Sequence, residues 1–139
     1  MIADSRRLVA GVLDGDPRAI ARSISLVEAE GAAGADIVKG VFQQSGRATL
    51  LGVTGAPGVG KSSLVDRLVT TVRGDGRTIG VLAIDPTSPF SGGAVLGDRV
   101  RMQTHTGDVG VFVRSMATRG ELGGLARATS DAVVVLDAA

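Results

Sequence analysis

Eight residues in the first half of the chain restrict its fold more than any other feature. Gly55-Ala56-Pro57-Gly58-Val59-Gly60-Lys61-Ser62 matches the pattern G-x-x-x-x-G-K-[ST] in full. Such a loop needs a strand before it and a helix after it, and the flanking residues read that way. Ala48 to Thr54 (ATLLGVT) is a nearly continuous apolar run, the pattern of a strand buried on both faces. Leu64, Leu68 and Val72 fall on one face of a helix reaching about Arg73. Gly74-Asp75-Gly76 makes a turn, and Thr78 to Ile84 (TIGVLAI) reads as a second buried strand. Strand, helix and strand within about forty residues form a βαβ unit, so the expected class is α/β, a parallel sheet flanked by helices. Val111 to Val113 is a candidate third strand, whereas Pro86 to Gly97 and Ser115 to Gly124 read as loops.

The residues before Gly46 follow a different period. Leu8 and Val12 stand i,i+4 with Leu13 beside them, and Gly15 fits a helix stop. Asp16-Pro17 reads as an N-cap followed by a first-turn proline. Ile20, Ile24 and Val27 continue one apolar face, and Gly31 and Gly34 break the pattern. Ile37 and Val41, with Val38 and Phe42, mark a third short helix that Gly46 ends. The expectation is a helical arm over residues 1–46 that packs on a neighbour and carries no site chemistry, with the phosphate-loop domain over 47–139.

Composition narrows the chemistry. In 139 residues the chain holds three Phe and no Trp or Tyr, so its core must be aliphatic. Fifteen basic residues stand against 14 acidic ones, which argues against a broad nucleic-acid or membrane footprint. With no Cys there is no disulfide, thiolate metal site or Cys nucleophile. His105 is the single histidine, which disfavours a His-based metal site or triad; in Thr-His-Thr-Gly it reads as a loop residue. The segment Met1 to Arg7 is polar, and no apolar run reaches the length of about 18 residues that a membrane helix needs. A cytoplasmic protein without nucleic-acid or membrane partners is expected.

Each residue type in the loop has a chemical reason. Gly55, Gly58 and Gly60 permit backbone torsions and close approach that a side chain would block. The amides from Gly58 to Ser63 can then face an anion at a helix N-terminus, where the dipole favours negative charge. Lys61 is expected to reach the β- and γ-phosphates, and Ser62 to place its hydroxyl on Mg²⁺. Only Lys39 and Lys61 are lysines beside 13 arginines, so a compact ammonium at this position is a specific choice. The nucleotide-binding set is therefore Gly55, Ala56, Pro57, Gly58, Val59, Gly60, Lys61, Ser62 and Ser63, with Lys61 catalytic.

A phosphate loop of this kind usually works with a carboxylate at the end of an apolar strand. Two segments qualify: Val81-Leu82-Ala83-Ile84-Asp85 and Val133-Val134-Val135-Leu136-Asp137. Periodicity does not choose between them, because a short apolar run fits a strand or a buried helix. The valines favour a strand at the second, whereas Thr129 or Ser130 could cap a helix there. Asp85 is favoured near Mg²⁺ or phosphate, since parallel sheets bind ligands beyond the carboxyl ends of their strands. Asp137 is expected to be a solvated carboxylate at a helix end. Arg99, Arg101, Arg114 and Arg119 read singly as surface charges.

Three stretches together resemble the MeaB/ArgK family of P-loop GTPases: GVTGAPGVGKSSL (52–64), VLAIDPTSPFSGGAVLGDRVRM (81–102) and RSMATRGELGGLARAT (114–129). The resemblance runs from about Leu50 to Ala139. It implies a GTP-binding and GTP-hydrolysing chaperone or switch for an adenosylcobalamin-dependent acyl-CoA mutase, especially methylmalonyl-CoA mutase. Family members were formerly described as lysine/arginine/ornithine transport ATPases. It also implies bound GTP or GDP with Mg²⁺, and a homodimer in the longer protein. Carried onto this chain, it assigns Gly55 to Ser63 to phosphate, Asp85 to the acidic position after the second strand, and Asp98 to the neighbourhood of Mg²⁺. RSMATRGELGG becomes a loop near the nucleotide, and Asp131 to Ala139 a helix, which removes Asp137 from the metal set. The segment Pro86 to Met102 is expected to be the switch that Mg²⁺ and the γ-phosphate order.

The sequence to Ala139 contains no E-T-V-G strand and no N-K-x-D motif for guanine. The expectation is an incomplete G domain, the N-terminal part of a longer protein. A P-loop ATPase or kinase, or a nucleotide-binding fragment without turnover, are the competing readings. Base discrimination depends on polar groups that the wrong base would leave unpaired. The 139-residue chain is therefore expected to bind GTP and ATP with affinities within a few-fold, measured by calorimetry with Mg²⁺. A strong preference for GTP in this chain would show that its first 139 residues already read the base.

Overall fold

The computed structural model describes residues 3–85, 103–117 and 122–139. The fold is α/β, with five α-helices and a two-stranded parallel sheet among these residues. The chain divides into two compact units, Met1–Thr49 with Thr118–Ala139, and Leu50–Ala117. No helix among the described residues is long and apolar enough to cross a membrane.

The first unit is helical. It holds α1 (Ala3–Leu13), α2 (Pro17–Glu28), α3 (Ala32–Val41) and α5 (Leu122–Ala138), with a single 3₁₀ turn at Phe42–Gln44. The start of α2 follows the local signals: Asp16 caps it, accepting from the Arg18 amide at 3.1 Å, and Pro17 fills the first turn. Ala19, Ile20, Ile24 and Val27 then face inward. Val12 of α1, with Ile37 and Val41 of α3, completes the arm's share of the core. Ala128, Ala132 and Val135 form a stripe on α5 that packs against α2 and α3. Small residues on that stripe let the helix axes come close. Gly34 does not break α3, contrary to the sequence expectation. It lies inside the helix, where a Cβ would stand 2.6 Å from the Leu26 carbonyl oxygen, so its role is close approach to α2. Phe42 leaves the expected apolar face and is exposed in the 3₁₀ turn.

At the end of α5 the Asp137 carboxylate turns back onto the chain after α3. It accepts hydrogen bonds from three successive amides: Gly46, Arg47 at 3.2 Å and Ala48 at 2.8 Å. Asp137 and Ala48 are 89 positions apart in sequence. Helix α5 agrees with the helix that the family resemblance implies. A solvated Asp137 does not fit: the carboxylate is half-buried and bound. Burial alone would raise its pKa. The amides of Gly46, Ala48 and Arg47, with the Arg47 charge, outweigh burial and hold the carboxyl below its usual range.

The second unit carries α4 (Lys61–Gly74), β1 (Ile79–Asp85), a 3₁₀ turn at Gln103–His105 that places His105 in regular backbone and not in the expected loop, and β2 (Val111–Ala117). The strands pair in parallel, from Ile79 opposite Val111 to Asp85 opposite Ala117. β1 lies where the apolar run predicted it. β2 extends four residues past Val113, and the helix α5 begins at Leu122, so most of the expected loop from Ser115 to Gly124 is regular backbone. The largest correction falls at Ala48 to Thr54, which is irregular backbone. Leu50 and Leu51 are 74% and 66% exposed. Burial on both faces requires ladder partners and covering helices, and β1 and β2 are paired only with each other among the described residues.

Because Asp137 has a lowered carboxyl pKa in the folded chain, its stabilising effect is full above the unfolded carboxylate value. It is lost as pH falls through the folded value. Asp137→Ala should destabilise the helical unit at neutral pH by about 1 kcal/mol, by analogy with loss of a helix cap. Urea unfolding should show this difference at pH 7 and show it shrinking as the carboxyls become protonated. Equal stability of the two proteins at pH 7 would mean that the carboxylate holds nothing there.

Candidate functional site

The loop from Gly55 to Gly60 is turn and irregular backbone ending at the N-terminus of α4. Two of its glycines are required by conformation. Gly58 has φ +79° and Gly60, at the N-cap of α4, has φ +99°. A Cβ at either position would be strained although space around it is open. The first intrahelical bond runs from the Leu64 amide to the Gly60 carbonyl at 3.0 Å. The amides of the first turn thus point back toward the loop, with the positive end of the helix dipole behind them.

Lys61 folds over this loop. Its ammonium donates to the carbonyls of Gly55 and of Ala56, the latter at 3.1 Å. An ammonium has three N–H donors, and two of them meet loop carbonyls. The same contacts close residues 55–61 into a ring around the amides. Lys61 therefore shapes the loop and keeps its charge beside the Gly55 and Ala56 carbonyls. Ser62 follows on the first turn, half-buried, with a hard oxygen of the type Mg²⁺ prefers. Ala56, Pro57, Val59 and Ser63 are exposed around the ring.

Asp85 ends β1, at the carboxyl edge of the parallel pair where ligands bind in such sheets. Asp98, Arg99, Arg101 and Arg119 lie outside the described residues, as does the segment from Pro86 to Met102 expected to be the switch. No group of three or more potential metal-ligating side chains occurs among the described residues. Ser62 and the β1 edge are thus the only candidate metal positions that the described backbone places.

Sequence reasoning missed how α4 is held. Val69 is its buried residue, and Leu64, expected on the packed face, is 53% exposed. Polar contacts supply the rest. Arg73 grips Asp108 with two parallel bonds, Nε to Oδ2 and Nη2 to Oδ1, each 2.9 Å. Its Nη1 donates to the Arg77 carbonyl at 2.6 Å. Asp108 also accepts from the Gly110 amide at 2.8 Å. The Arg73 hydrogen bond is the chief cause that keeps the Asp108 carboxyl below its usual range. Gly110 makes the fit possible, since a Cβ there would lie 2.2 Å from Arg73 Cζ. Nearer the phosphate loop, Asp66 Oδ1 meets His105 Nε2 at 2.9 Å and the Thr104 hydroxyl at 3.2 Å. Nothing in the helical period of α4 advertises Arg73 or Asp66, because their partners lie 35 and 39 residues away.

Comparison with known proteins accounts for this assembly. Residues 20–139 match the family described as methylmalonyl Co-A mutase-associated GTPase MeaB. A candidate GTPase of Pyrococcus abyssi is 55% identical over 131 residues, covering 94% of this chain and 40% of that protein. One of Caulobacter vibrioides is 39% identical over 137 residues, covering 96% of this chain and 41% of that protein. The methylmalonic aciduria type A homolog, mitochondrial, of Caenorhabditis elegans is 34% identical over 149 residues, covering 96% and 37%. The chain thus spans about two-fifths of the length of these relatives. With the phosphate loop, its helix and the β1 edge all inside the matched span, the chain belongs to the MeaB family of GTPases.

Proposed function

We propose that this chain binds the phosphates of a guanine nucleotide, and that the longer protein hydrolyses GTP as a switch or chaperone for an adenosylcobalamin-dependent acyl-CoA mutase. The observation that carries the reading is the ring closed by Lys61 on the Gly55 and Ala56 carbonyls at the head of α4. It presents amides, a helix dipole and one ammonium to the same anion. The mutase rests on the family description, and the C. elegans relative's name associates that protein with methylmalonic aciduria; the cobalamin is what the family resemblance implies. A homodimer acting in the cytoplasm belongs to the same proposal.

In this reading residues 55–63 cradle the β- and γ-phosphates and Lys61 stabilises charge on the transferring group. Mg²⁺ would be held by Ser62, with Asp85 and Asp98 completing its surroundings directly or through water. The metal would neutralise charge between the β- and γ-phosphates. The chain's own part is orientation: the ring fixes the phosphates against the α4 dipole before any partner acts.

Lys61→Ala tests the proposal in the full-length protein. Loss of one charge-assisted phosphate contact should weaken Mg²⁺–GTP binding tenfold or more, by the usual strength of such contacts. Calorimetry measures the affinity, and circular dichroism checks that the variant remains folded. Unchanged affinity in a folded variant would remove Lys61 from the phosphate site.

A further inference from the structure

We propose that His105 acts through Asp66 as a positioning residue for the phosphate loop. This rests on the reading that the loop binds a nucleotide triphosphate. Asp66 follows Ser62 by four residues, so the two share a face of α4 one turn apart. At 1.5 Å rise per residue, the Asp66 carboxylate starts about 6 Å along the helix axis from Ser62. A carboxylate so close to bound phosphate opposes it by charge unless it is held and partnered.

The partners come from the chain just before β2. The Asp66 carboxylate only accepts, so His105 Nε2 carries the proton it donates at 2.9 Å, and the Thr104 hydroxyl donates to the same oxygen. The His105 side chain is 12% exposed and that of Asp66 32%, so water competes weakly at the imidazole. The neighbouring charges are Asp108, whose amide donates to the His105 carbonyl at 3.2 Å, and Arg73, which is bound to Asp108. Val69 gives α4 a single buried anchor, so its first turn depends on such contacts for its orientation. His105 thus does two things: it fixes the first turns of α4 against the 3₁₀ turn Gln103–His105, and it holds the Asp66 charge away from the phosphates.

The test uses the full-length protein, with Mg²⁺ and a non-hydrolysable GTP analogue in the calorimeter. His105→Ala should weaken analogue binding about five- to tenfold, within the range of coupling between residues in contact. Asp66→Asn keeps an acceptor and removes the charge. Placed in the His105→Ala background, it should restore affinity to within about twofold of wild type. His105→Gln, which retains a donor, should bind nearly as wild type and serves if the alanine variant fails to fold. Arg73→Ala is the comparison at the far end of α4. It should lower the melting temperature yet leave analogue affinity within about twofold. Wild-type affinity in folded His105→Ala, or a double variant no better than His105→Ala alone, overturns the inference. So does an equal affinity loss in Arg73→Ala, since general loosening of α4 would then suffice. A wild-type protein that does not bind the analogue fails in the first arm, and that outcome overturns the proposed function itself.

Discussion

A guanidinium laid against a carboxylate keeps the phosphate-loop helix on its sheet. Arg73 and Asp108 meet through two parallel hydrogen bonds, a geometry that fixes direction as well as distance. A helix with one buried residue has little apolar area to resist rotation about its own axis. The pair supplies that resistance at one end, and the contacts of Asp66 supply it nearer the loop. Both reach the same short stretch, 104–108, which leads into β2. The far pair thus secures the helix itself, and the Asp66 contacts set the turns nearest the phosphate loop. Gly110 shows how tightly the arrangement is drawn, since a Cβ there would require the guanidinium to shift from its present place.

Local rules made much of this legible. The loop motif is contiguous, and each of its residue types has a local reason, so it reads directly from sequence. Asp16-Pro17 sets the start of α2, and Gly58 and Gly60 adopt the torsions only glycine accepts without strain. β1 follows from an apolar run that has a neighbour to pair with. The run at Leu50 to Val53 has the same composition and is exposed, because hydropathy reports what a segment can bury and not what covers it. Asp137 failed for a related reason. Its helix was legible, but its amide partners stand some ninety positions upstream, where no periodic pattern points. Gly34 looked like a breaker because a glycine that ends a helix and one that lets two backbones touch are the same letter.

The association of α5 with the N-terminal helices separates chain order from spatial order. The arm's helices complete their core with residues that follow the nucleotide-binding unit in sequence, through Ala128, Ala132 and Val135. The resulting unit is aliphatic, with Ile24 and Ile37 its largest fully buried side chains and alanines on the α5 stripe.

That arrangement has a consequence for biosynthesis. Helices α1 to α3 are complete once Val41 is made, yet α5 starts only at Leu122. At elongation rates of about 5–20 residues per second, the arm waits roughly 4–16 s for its fourth helix. During that interval Ile24, Ile37 and Val41, fully or almost fully enclosed in the finished fold, lack the α5 side of their cover. The nucleotide-binding unit emerges in the meantime. A nascent chain of this protein thus passes through a stage with its phosphate loop synthesised and its first helices still sticky, a stage that suits capture by ribosome-associated chaperones.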